Sequence, residues 1–127
     1  MPRYSSFDLA PYALINAHPN LAEWVSLLPM HTRALHADRA EQLLKGAPDA
    51  GPVVLRVMTA ERRLALWGIR AERARRTDKK VLIEALKEMG RAESDAARAW
   101  SEYVRERDAA AGSAAALPVS AYVDLLG

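Results

Sequence analysis

Seven residues, Val53, Val57, Ala60, Leu64, Trp67, Ala71 and Ala74, recur at intervals of 4, 3, 4, 3, 4 and 3. That spacing keeps all seven on one side of an α-helix over three heptads. A strand would need strict alternation, which Glu61-Arg62-Arg63 breaks. Taken alone, Val53–Met58 also suits a short buried strand, since periodicity does not arbitrate short apolar runs. Pro52 fits the first helical turn, where its missing N–H leaves no bond unmade, and Gly51 ends the loop before it. The chain is therefore expected to build around one long amphipathic helix at about residues 52–76.

That helix carries a second apolar strip, Leu55, Met58, Leu66 and Ile69. A helix apolar on two sides is either central to a bundle or covered by another copy of itself. Gly68, which costs roughly 1 kcal/mol against alanine in a helix interior, is expected at a close helix–helix contact or, alternatively, at a kink.

Charge is distributed just as unevenly. Residues 56–80 hold nine Lys and Arg against Glu61, Glu72 and Asp78, although the whole chain is only +2. Everything outside that stretch is therefore net acidic. Arg62, Arg63, Arg70, Arg73, Arg75, Arg76, Lys79 and Lys80 are the candidate nucleic-acid contacts, because guanidinium groups on a helix can fork to phosphate oxygens. The alternative is a solvated face or a coiled-coil flank, its arginines pairing to Glu84, Glu88, Glu93, Glu102 or Glu106 on another helix. The small overall excess of charge favours the second.

Of the 127 residues, twenty-five are alanine, a strong helix former of little volume. Closely spaced helices and a thin core follow. The chain is long enough to bury roughly two thirds of its unfolded surface. There is no cysteine, no apolar leader at the N-terminus and no run near the roughly 20 residues of a membrane span. A cytoplasmic protein with no membrane partner is expected.

The remaining elements follow from caps and breakers. Asp8 is placed to cap Leu9–Asn16, and Asn20 to cap Leu21–Leu28, which Pro29 ends. A third helix spans His31–Lys45, with Glu41 and Lys45 as an exposed i,i+4 pair, and residues 46–51 form a loop. Asp78 caps Lys79–Met89, Gly90 stops it, and Ser94 starts a helix to about Ala111. Ala109–Ala116 is low in complexity, 112–117 is expected to be a flexible stretch, and 118–127 form an apolar tail whose Val119, Tyr122, Leu125 and Leu126 could dock on this or a neighbouring copy. The expected product is a single all-α domain, a bundle of five to seven helices: short ones within 8–45 and longer ones within 52–111.

No catalytic, metal or cofactor signature emerges. His31 and His36 lie roughly 140° apart on a helix, and His18 is remote. Residues 79–107 could form a helix-turn-helix around Gly90, but Glu93, Ser94 and Asp95 stand where base-reading side chains would be wanted. An ordinary hairpin of two helices is the better expectation there. The function expected is a non-enzymatic, self-associating protein-interaction module, with Val53, Val57, Ala60, Leu64, Trp67, Gly68 and Ala71 as its seam. The second reading is a nucleic-acid-binding regulator or packaging accessory using residues 62–80. Neither requires a cofactor or a small-molecule substrate.

Overall fold

A computed structural model describes residues 9–115. Within them lie five helices and no strand: α1 (Ala13–Asn16), α2 (Pro19–Ser26), α3 (Met30–Gly46), α4 (Gly51–Ala74) and α5 (Lys79–Ala115). The all-α bundle built around a long amphipathic helix is what forms. Helices α4 and α5 make an antiparallel hairpin, and α1–α3 pack across its open end. The apolar tail, with Val119, Tyr122, Leu125 and Leu126, lies outside the described residues.

The hairpin closes along alanine. Ala85, Ala92 and Ala99, seven residues apart on α5, are buried against the stripe of α4 that includes Val57, Ala60, Ala71 and Ala74. Side chains this small let the two helices approach closely, and the buried stripe fixes which face each presents. At the turn, Asp78 Oδ1 accepts the Val81 N–H at 3.1 Å, so Asp78 caps α5 as its type and position predict.

One expectation is overturned here. Gly90 does not end a helix; α5 runs through it for 37 residues, about 55 Å. The glycine penalty of about 1 kcal/mol is outweighed by the packing of both flanks on α4. Neither a helix-turn-helix nor a hairpin exists at residues 90–93, and the DNA-reading geometry built on one is absent.

The short helices are held by contacts across the chain. α1 begins only at Ala13, after a tight turn in which the Tyr12 N–H donates to the Leu9 carbonyl at 2.8 Å. Its N-terminus is capped from α3: the two carboxylate oxygens of Glu41 accept the N–H groups of Leu14 and Ile15, each at 3.0 Å. Glu41 thus turns inward rather than forming a surface pair with Lys45. α2 starts at Pro19, in the first-turn position proline favours. Buried Arg33 donates from Nε to the Leu28 carbonyl at 2.6 Å, satisfying a backbone group at the end of α2.

His18 supports the loop between α3 and α4, which is residues 47–50 and shorter than the 46–51 expected. Its Nε2 sits 2.7 Å from the Pro48 carbonyl oxygen, and its ring lies flush against Gly51. A Cβ on Gly51 would fall 2.2 Å from His18 Nδ1, so only glycine fits there. Ile15, Leu21, Val25, Leu44, Val54 and Val57 are the largest fully buried side chains. All lie in or against the open end of the hairpin, where the core is concentrated.

Candidate interaction surface

The heptad stripe is used up inside the chain. Val53, Val57, Ala60 and Ala71 are buried, and Leu64, Trp67 and Gly68 are half-buried. A partner could not reach the buried four without opening the hairpin, so they form an internal seam and not the oligomer seam expected of them. Gly68 does not mark a close crossing either: a Cβ there would sit at an ordinary 3.8 Å from Met89 Cε.

The arginines beside the stripe are partly committed in the same way. Arg56 pairs with Glu102 at 2.5 Å, and Arg63 with Asp95 at 3.0 Å, both across the α4–α5 groove. Asp95 also accepts from Arg98 at 3.2 Å. Arg39 of α3 reaches Glu61 with two hydrogen bonds, at 3.2 and 2.9 Å, while its guanidinium lies 5.7 Å from the Trp100 ring centre. The open groove of about 550 Å³ between Leu55–Arg63 and Asp95–Glu102 is therefore lined by ion pairs already made.

Farther along the hairpin, no ion pair among the described residues crosses between α4 and α5. Arg70 stacks on Trp67 at 4.6 Å and Arg75 pairs with Glu72 at 3.4 Å. Arg62, Arg73, Arg76, Lys79 and Lys80 make no ion pair with a described residue, and all but half-buried Arg62 are exposed. Helix α4 ends at Ala74, so Arg75 and Arg76 lie in the turn and the two lysines open α5. The candidate phosphate contacts are thus split: Arg63 and Arg75 are engaged, whereas a cluster at the hairpin tip has no ion pair among the described residues.

Apolar cover stops at the same place. Near the open end, Met58 of the second strip is buried and Leu55 half-buried against the short helices. Toward the tip, Leu66 and Ile69 remain 49% and 50% exposed on α4, and Ile83 and Leu86 remain 45% and 52% exposed on α5. Leu66 and Ile69 flank a shallow surface shared with Trp67, Arg70 and Arg73. Half of the second strip is covered within the chain, and half is not.

Titratable groups serve the fold. Tyr103 donates its hydroxyl to the Leu43 carbonyl at 2.7 Å, tying α5 to α3. Burial pushes its phenol above the usual 10.0, against the opposing pull of Arg107 and Arg39. His36 reaches the Thr32 carbonyl at 2.7 Å and meets Trp24 edge-on. Among the described residues no group of three His, Cys, Asp or Glu converges as a metal site would require, and no helix is long and apolar enough to cross a membrane.

No protein-family model, curated protein or solved structure matches this chain.

Proposed function

We propose that this chain is a non-enzymatic helical assembly module that associates with copies of itself through the distal half of the α4–α5 hairpin. The observation that supports this is the apolar surface left on both helices toward the hairpin tip. Leu66, Ile69, Ile83 and Leu86 are all about half exposed, whereas toward the open end α4 packs on α2 and α3 and α5 meets α3 at Tyr103. Two such clusters, each an i,i+3 pair on a rigid helix, exceed the scattered single apolar residues of an ordinary surface. Carboxylates such as Glu41, Glu61, Asp78, Asp95 and Glu102 are engaged in caps and ion pairs, which further supports a non-enzymatic role.

Sedimentation equilibrium of the full chain at physiological salt should return a multiple of 14.0 kDa. The double variant Leu66→Asp/Leu86→Asp should sediment as a monomer with its helicity and melting temperature nearly intact, since both side chains already stand half in solvent. A wild-type chain that stays monomeric sinks the reading.

The cations Arg73, Arg76, Lys79 and Lys80, without an ion pair among the described residues, favour a second reading, binding of nucleic-acid phosphates at the hairpin tip. In a titration of labelled duplex and single-stranded DNA, that reading requires affinity that falls steeply with salt, because bound phosphates displace counterions. It also requires loss of binding on Arg73→Glu/Arg76→Glu. Arg63→Glu is a poor test, because it would break the pair with Asp95.

A further inference from the structure

Two open basins lie along the α4–α5 hairpin, and they differ in charge. The one toward the open end is lined by Arg56, Arg63 and Arg98 together with Asp95 and Glu102, and each of its arginines is paired inside it. The one toward the tip, about 380 Å³, is lined by Leu66, Trp67, Ile69, Arg63, Arg70 and Arg73, with no carboxylate. Arg63 is held by Asp95, whereas Arg70 and Arg73 make no ion pair with a described residue. The acids nearest in sequence, Glu61, Glu72 and Asp78, are engaged by Arg39, Arg75 and the start of α5.

The residues of α4 beside this basin follow a pattern. Arg62, Leu66, Ile69 and Arg73 recur at intervals of 4, 3 and 4. At about 100° per residue they fall within about 60° of one another, on the side of α4 opposite the buried Val57, Ala60 and Ala71. Leu66, Ile69 and Arg73 are exposed, and Arg62 is half-buried. The strip thus reads cation, aliphatic, aliphatic, cation, with about 16.5 Å of helix between its two arginines.

From this pattern we infer that the outer strip of α4 docks an acidic amphipathic helix of another protein. The inference goes beyond the self-association proposed above and does not depend on it. Two aliphatic side chains of the partner cover Leu66 and Ile69, and a carboxylate one turn beyond them on either side meets Arg62 and Arg73. The intervals 4, 3 and 4 read the same in both directions, so one spacing serves a partner helix running either way. Complementary charges flanking an apolar centre fix both the partner and its register.

Other occupants satisfy less of the strip. A second copy presenting the same strip, about a dyad between Leu66 and Ile69, would set Arg62 against Arg73, like charge to like. Nucleic acid would satisfy the arginines but leave the two aliphatic side chains uncovered. The Trp67 ring, on which a base could stack, already carries Arg70 at 4.6 Å. A lipid surface would take up only two aliphatic residues from this face, little for a helix lying in the interface.

Fluorescence anisotropy tests this with a labelled helical peptide of alanine and glutamine that carries Glu, Leu, Leu and Glu at the same intervals. The full chain should bind it, with affinity that falls as salt rises. A peptide with its leucines moved off that spacing, and one with Lys for Glu, should each bind about tenfold or more weakly. Arg62→Glu/Arg73→Glu should lose the acidic peptide and take up the Lys peptide. Its helicity by circular dichroism should hold, since neither arginine has an ion pair with a described residue. Lys79→Glu/Lys80→Glu, on α5 and off the strip, should keep the wild-type affinity within about threefold. No binding of the matched peptide overturns the inference. Equal binding of the respaced peptide also overturns it, because the attraction would then be one of charge alone. Tighter binding to duplex DNA or to phosphatidylserine vesicles at physiological salt does the same. Should the double arginine variant unfold, Leu66→Asp decides: it must weaken the matched peptide about tenfold, or the strip is not the site.

Discussion

Ala92→Leu should destabilise the monomer fold by about 3 kcal/mol, read as a lower urea midpoint with unchanged slope. Ala92 has no exposed surface and lies between Ala85 and Ala99 on the face of α5 that meets α4. Three added carbons have no room between helices that approach on alanine, and long helices cannot part locally without disturbing the turns on either side. Ala97→Leu is the control. Ala97 is exposed on the opposite side of the same helix, so the same change there should leave monomer stability within about 0.5 kcal/mol. Equal effects at the two positions would mean that the α4–α5 seam is not close-packed.

Glu41→Ala should cost about 2–3 kcal/mol and detach α1 before the rest of the chain unfolds. One carboxylate there accepts two backbone N–H groups that α1, only four residues long, cannot satisfy itself. Charge-assisted bonds to a helix N-terminus are among the stronger ones available to a carboxylate. Glu41→Gln keeps one acceptor and presents an amide donor to the other N–H, so an intermediate loss is expected. Equilibrium unfolding followed separately by tryptophan fluorescence and by circular dichroism would show the effect. A variant as stable as wild type would mean that water replaces the carboxylate at no cost.

The long elements were legible because they are periodic. The stripe from Val53 to Ala74, the proline at the start of α4 and the Asp78 cap are local signals, and α4 and the start of α5 lie where they point. Signals that depend on distant partners were not legible. Glu41 looks like half of a surface pair until α1 is folded against it, 26 and 27 positions away. Gly90 looks like a stop until α4 lies alongside to support the turns on both sides. The alanine stripe of α5 carries too little hydrophobicity to distinguish seam from surface by composition. Among the arginines, pairing to acidic residues of another helix was foreseeable in kind. Glu102 serves Arg56 in that way, but Asp95, which takes Arg63, was not among the expected partners. The heptad stripe was correctly placed on one face, yet no local pattern says whether such a face closes on its own chain or on another.

The uneven support along α5 also sets how the helix breathes. Around Trp100 to Arg107 it is held by α4 and by the C-terminal half of α3, through the Tyr103–Leu43 bond and the packing of Gly46 on Tyr103 and Arg107. Around Val81 to Leu86, α4 is the main described element that holds it. Amide protons near Tyr103 should therefore exchange with solvent only through global unfolding, whereas those near Leu86 should exchange through opening of the tip, at a far lower free energy. Self-association through the distal half of the hairpin, as proposed, would slow the second class without touching the first. The protection of these distal amides should then rise with protein concentration, making the helix its own gauge of whether a neighbour is present.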